Sequence, residues 1–77
     1  MRVKVKLLSV FATHAREDAE GLTAVPEGAT VRTLAESLGL PLDLVRIITV
    51  NGQQVGLEEP LSEGDTVYVF PPAFGGG

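Results

Sequence analysis

The chain has 77 residues and a net charge of −4, with ten acids against six bases; this is one small domain, and a poor nonspecific binder of nucleic acid, which needs clustered Lys and Arg facing phosphates. It has no cysteine, which excludes disulfides, thiolate zinc sites, iron–sulfur clusters and a cysteine nucleophile together, and 44% hydrophobic residues with only 5% aromatics describe an aliphatic core. No apolar stretch approaches the roughly 20 residues that cross a bilayer, and Met1-Arg2-Val3-Lys4-Val5-Lys6 alternates charge into the first apolar run, unlike a signal peptide, so a cytoplasmic protein with no membrane partner is expected.

Val3, Val5 and Leu7 alternate with Lys4 and Lys6, the period of two that predicts a half-buried strand over residues 2–10. Its polar face, Arg2, Lys4 and Lys6, is basic. Such charges ordinarily keep an open strand face solvated; the alternative is a docking stripe for an acidic partner. Polar residues 13–20 and Gly21 close the strand, and residues 22–25 read as a shorter second strand ending in the turn Pro26-Glu27-Gly28. Thr30 suits an N-cap, Val31, Leu34, Ala35 and Leu38 fall at i, i+3, i+4 and i+7, and Gly39 supplies the stop. This predicts one amphipathic helix of about nine residues, too short to hold without a sheet beneath it.

After a connector from Pro41, the β-branched run of residues 46–50 predicts a third strand. Asn51-Gly52 is the strongest turn signal, suited to a type I′ hairpin leading into Gln53, Gln54 and Val55. The turn Ser62-Glu63-Gly64-Asp65 introduces the last strand, residues 66–70, which is apolar on both faces and therefore expected at the centre of the sheet. With the helix on one side only, either Tyr68 and Phe70 or Val67 and Val69 look outward, leaving an apolar strip fit for docking.

Beyond Phe70 come Pro71, Pro72, Ala73, Phe74, Gly75, Gly76 and Gly77. The prolines fix φ and stiffen the root, whereas glycine presents nothing wider than main chain and passes channels that stop any Cβ. The reactive group of such an end is its carboxylate, ionised above a pKa of about 3.3–3.7 and inert to nucleophiles until activated, for which acyl-adenylation by ATP is the obvious chemistry. His14, the single histidine, has no acid–base partner in sequence, and neither a Ser-His-Asp set nor metal-ligand spacing can be assembled. The chain is therefore not expected to be an enzyme by itself, nor to hold a metal.

The order of strand, strand, helix, strand, strand pair and glycine tail resembles the ubiquitin-like β-grasp fold. Phe11-Ala12 with Arg16-Glu17, Val25-Pro26-Glu27-Gly28-Ala29-Thr30-Val31, Val50-Asn51-Gly52 and Pro60-Leu61-Ser62-Glu63-Gly64-Asp65-Thr66-Val67 together resemble the MoaD/ThiS family of sulfur carriers. Phe70-Pro71-Pro72 followed by Gly75-Gly76 is similar to the tail of the molybdopterin synthase small subunit. Two departures stand out: one glycine beyond the family's pair, and a stretch over residues 13–21 that is longer or differently spaced.

The resemblance implies an α+β domain at residues 1–70, a mixed sheet of four to five strands with one helix across one face, and an extended tail at residues 71–77. It implies that a ubiquitin-activating-type enzyme adenylates the terminal glycine, Gly77 or Gly76, and that a sulfur donor of the cysteine desulfurase or rhodanese type converts it to a thiocarboxylate. Gly75, Phe74, Pro72 and Pro71 would then enter the partner's channel, with Leu8, Phe11, Tyr68 and Phe70 as partner surface. The sulfur would pass, with a larger synthase subunit, to a molybdenum or tungsten pterin cofactor; ATP belongs to the activating partner and no cofactor is bound. Thiamine thiazole synthesis, covalent modification of other proteins, and a non-covalent β-grasp interaction module are the alternatives.

Overall fold

The period-two pattern at the start of the chain becomes β1 (Arg2–Leu7), with Val3, Val5 and Leu7 buried and Lys4 and Lys6 exposed, in a computed structural model that describes residues 1–72. The strand ends sooner than residue 10. Ser9 takes a φ of 57°, in the left-handed region that non-glycine residues seldom occupy, and turns the chain into a 3₁₀ segment, Ser9–His14. That turn carries Phe11 under the sheet, where it is 2% exposed.

The return strand is shorter than residues 22–25: β2 (Thr23–Ala24) pairs antiparallel with the start of β1. The helix α1 (Val31–Ser37) begins at Thr30, whose hydroxyl accepts from the Thr33 amide at 3.3 Å while the Thr33 hydroxyl accepts from the Thr30 amide at 3.3 Å. Two early donors that no helical carbonyl can reach are met from outside, Val31 N–H by the Glu59 carbonyl at 3.0 Å and Arg32 N–H by that of Leu57 at 2.8 Å. Val31, Leu34 and Ala35 lie on the sheet, and Gly39, at φ 74°, ends the helix with its N–H on the Glu36 carbonyl. Leu38 serves as the C-cap, so the helix has seven residues, not nine.

Next, β3 (Ile47–Val50) and β4 (Gln53–Val55) form the expected hairpin, with Asn51 at φ 53° and Gly52 at 87°, the two left-handed positions of a type I′ turn. The last strand, β5 (Thr66–Phe70), lies parallel to β1 and antiparallel to β3, in the sheet order β2-β1-β5-β3-β4. It is central, as its doubly apolar sequence requires. One helix across one face of a five-stranded mixed sheet is the β-grasp arrangement.

Candidate functional site

Because α1 covers one face only, the alternation along β5 decides what the other face presents. Val67 and Val69 are buried against the core at 0% and 2% exposure, so the outward set is Tyr68 and Phe70. Their rings stack, with centroids 6.3 Å apart and planes 19° from parallel. In register with Tyr68 stand Lys6 on β1 and Thr49 on β3, and with Phe70 stands Ile47, which is 44% exposed. An apolar strip of Ile47, Tyr68 and Phe70 thus runs along the open face, with Lys4 and Lys6 on the adjoining strand.

This strip leads to the root of the tail. The Leu8 amide donates to the Val69 carbonyl at 3.3 Å, and the Arg46 amide donates to the Phe70 carbonyl at 3.2 Å, so the chain is held through Val69 on the β1 side and through Phe70 on the β3 side. Pro71 and Pro72, both half-buried, have no N–H with which to extend either ladder.

The electrostatics of the face are set by which cations find partners. Arg2 is engaged: its Nε donates to Asp18 Oδ2 at 2.9 Å and its Nη2 to Glu20 Oε1 at 2.9 Å, and these bonds, that to Glu20 foremost, raise its pKa above the ordinary arginine value. Asp18 in turn accepts the N–H groups of Leu22 at 3.1 Å and Glu20 at 2.8 Å; the Leu22 bond is the chief cause of a carboxyl pKa below the usual range, with Glu20 and Arg2 adding to it. On α1, Arg32 donates through both Nε and Nη2 to Glu58, which raises its pKa likewise. Lys4 and Lys6 are exposed and form no ion pair among the described residues.

With this geometry in place, the sequence matches the Mut7-C ubiquitin family over residues 2–74. The chain belongs to that family. A putative molybdopterin converting factor, subunit 1, from Pyrococcus furiosus is 32% identical, with a TM-score of 0.66 over 94% of this chain and 98% of that one. SAMP1 from Haloferax volcanii matches at a TM-score of 0.67 and 22% identity over 99% of this chain and 100% of that one. A second structure, of the H. volcanii small archaeal modifier protein 1, matches at 0.68 and 22% over 94% and 98%; at that identity the likeness is one of fold. No curated protein matches the chain. The expected MoaD/ThiS-type, ubiquitin-like membership therefore holds.

Within this family member, the residues expected at the partner surface divide. Tyr68 and Phe70 lie on the open face, and Leu8, half-buried, lies beside the end of β5. Phe11 does not belong with them: at 2% exposure it is part of the core, carried inward by the 3₁₀ turn. Phe74, Gly75, Gly76 and Gly77 lie outside the described residues. Sequence reasoning missed Ile47 on the strip and Val10, which is 57% exposed on the 3₁₀ segment that packs against β1 and β5. The alternation Ile47-Ile48-Thr49-Val50 carries the signal for Ile47, but two adjacent isoleucines conceal which one faces outward. His14 Nδ1 donates to the Leu38 carbonyl at 3.0 Å, tying the 3₁₀ segment to the end of α1. No helix among the described residues is long and apolar enough to cross a membrane.

Proposed function

We propose that this domain is a sulfur carrier whose terminal glycine is adenylated by a ubiquitin-activating-type enzyme and converted to a thiocarboxylate. The observation that carries the reading is that the central strand, whose Tyr68 and Phe70 form most of the open apolar strip, is held by the sheet up to Phe70 and runs into Pro71-Pro72 and a glycine end. A strand at the middle of the sheet gives the tail a fixed origin, and the strip gives a partner a surface by which to place it, so the terminal carboxylate meets the activating site at high effective concentration.

A terminal carboxylate oxygen attacks the α-phosphorus of ATP, and pyrophosphate leaves. The terminal sulfur of a persulfide on the donor, a cysteine desulfurase or rhodanese type, then attacks the acyl carbon, and AMP leaves. A thiol cleaves the resulting acyl disulfide by exchange, leaving the thiocarboxylate on the glycine and a disulfide on the donor. All catalytic groups belong to partners, as does the ATP. The 32% identity to a putative molybdopterin converting factor subunit supports, as the destination of the sulfur, the dithiolene of a molybdenum or tungsten pterin, transferred with a larger synthase subunit.

The test is the intact mass of the protein after incubation with ATP, a ubiquitin-activating-type enzyme from the same cell and a sulfur donor, beside variants ending at Gly76 and Gly75. Replacement of one terminal oxygen by sulfur is the expected result, and the variants identify the glycine used. Conjugation to lysines of other proteins with no thiocarboxylate would replace this reading with that of a modifier. A tail unreactive towards every such enzyme would leave a non-covalent interaction module.

A further inference from the structure

Asn51 is the only asparagine in the chain, and Gly52 follows it. In such a pair the glycine amide nitrogen can attack the asparagine carboxamide, because no Cβ shields that nitrogen and the glycine backbone turns freely. Here both residues are exposed, and the space about Gly52 is open: a Cβ on it would meet nothing within 4 Å. What opposes the attack is the hold on the Asn51 side chain. Its Oδ1 accepts the Thr66 N–H at 2.9 Å and its Nδ2 donates to Asp65 Oδ1 at 2.9 Å, so both ends of the carboxamide are engaged. Asp65 is itself fixed, since its Oδ2 accepts the Ser62 N–H at 2.8 Å and its carbonyl accepts the Lys4 N–H at 2.8 Å. The one carboxamide poised for this chemistry is thus moored to the start of the central strand.

We infer that Asn51 is a site of spontaneous covalent modification that the folded domain holds in check, and that its conversion to aspartate or isoaspartate loosens the β3–β4 turn from β5. The Gly52 nitrogen, its proton taken by hydroxide, attacks Asn51 Cγ; the Cγ–Nδ2 bond breaks, and the nitrogen leaves as ammonia with a proton from water. Water then opens the cyclic imide at Cγ, giving aspartate, or at the backbone carbonyl, giving isoaspartate. The balance is one water taken up and one ammonia released, with no oxidant or reductant. Presenting Cγ to the Gly52 nitrogen and freeing Nδ2 to leave breaks the bonds to Thr66 and Asp65, which is how the fold slows the step. Aspartate at this position has no N–H to offer Asp65 and sets a second carboxylate against it, and the like charges repel. Isoaspartate adds a methylene to the main chain of a turn that depends on a φ of 53° at Asn51 and 87° at Gly52. None of these atoms belongs to the tail, and the inference is independent of the sulfur-carrier reading.

The test follows the full chain in mildly alkaline buffer, at a temperature where it stays folded and in guanidinium chloride where it does not, by intact mass and by peptide mapping across residues 47–55. Deamidation at Asn51 should be slower in the folded chain on the order of tenfold, the effect expected of two net hydrogen bonds. Asp65→Ala should recover much of the lost rate, and Asp65→Asn, which keeps the shape but withdraws the charge, should fall between it and the wild type. If Asp65→Ala does not fold, the comparison of wild type with Asp65→Asn decides alone. A denatured chain that does not react overturns the site. A folded chain that reacts as fast as the denatured one, or variants no faster than the wild type, overturns the protection. The deamidated fraction, separated by its added negative charge, is then read by amide hydrogen exchange. Faster exchange at Thr66 than in the untreated chain is expected, and unchanged exchange there overturns the loosening of the turn.

Discussion

Asn51 and Thr66 hold each other by two hydrogen bonds: the Asn51 amide donates to the Thr66 carbonyl at 2.8 Å, and the Thr66 amide donates to Asn51 Oδ1 at 2.9 Å. Asn51 Nδ2 also donates to Asp65 Oδ1 at 2.9 Å. The β3–β4 turn is thereby fastened to the start of the central strand, a role beyond the turn-forming one that the Asn-Gly pair signals.

Two substitutions separate these roles. Asn51→Gly keeps the left-handed backbone and loses both side-chain bonds, which should cost about 1 kcal/mol given their exposure. Asn51→Ala loses the same bonds and adds the left-handed strain of a residue with a Cβ, about 1–2 kcal/mol more. Urea unfolding should rank wild type above Asn51→Gly above Asn51→Ala; equal stability of wild type and the glycine variant would reduce Asn51 to a turn former.

Phe11 and Tyr68 should behave as opposites. Truncating Phe11, at 2% exposure in a core otherwise of aliphatic side chains, opens a cavity and should cost about 3–5 kcal/mol. That is a large share of the roughly 5–15 kcal/mol that holds a domain together. Tyr68→Ala, at a position 38% exposed, should change stability by about 1 kcal/mol or less. It should instead weaken partner binding. Unfolding midpoints and association measurements on the two variants check the division, and a folded Phe11→Ala that loses only binding would return Phe11 to the surface.

How far the sequence discloses this arrangement depends on how each position is marked. The centrality of β5 is legible because Val67, Tyr68, Val69 and Phe70 are all apolar, but the same uniformity hides which pair faces out. That is decided by which face α1 covers, a long-range outcome. The basic stripe on β1 is legible from alternation alone. The inward turn of Phe11 is not, because it depends on a left-handed Ser9, a residue type that gives no warning of positive φ, within a run that reads as continued strand. Nor does composition disclose that Arg2 is neutralised and Lys4 and Lys6 are not, since Asp18 and Glu20 reach Arg2 only once the loop folds back.

That loop should respond to acid. The Asp18 carboxyl is held below its ordinary value, chiefly by the Leu22 N–H, then by that of Glu20 and by Arg2. A carboxyl depressed in the folded state stabilises above its unfolded pKa, about 3.9, and that contribution is lost as pH falls through the lower folded value. Arg2, raised above the ordinary arginine value, stays charged throughout and adds no pH dependence of its own. NMR titration should therefore show the Glu20 and Leu22 amides moving together with the Asp18 carboxyl below about pH 4. In Asp18→Asn the coupled movement should vanish, and its persistence would assign the transition to another acid.

Pro71 and Pro72 either merely end β5 or also aim the tail, and replacing both with glycine distinguishes these roles. The ladder already stops at Phe70, whose carbonyl takes the Arg46 N–H, so stability should shift by no more than about 0.5 kcal/mol. If the prolines only end the strand, nothing else changes. If they aim the tail, a glycine root lets the terminus sample a larger volume, its effective concentration at the activating site falls, and adenylation kcat/KM should drop roughly three- to tenfold. The rate of association with that enzyme should be unaffected, because encounter precedes tail insertion. A variant that is adenylated at the wild-type rate would show that the glycine end needs no stiff root, and would leave the sheet's hold on Phe70 as the whole of the tail's positioning.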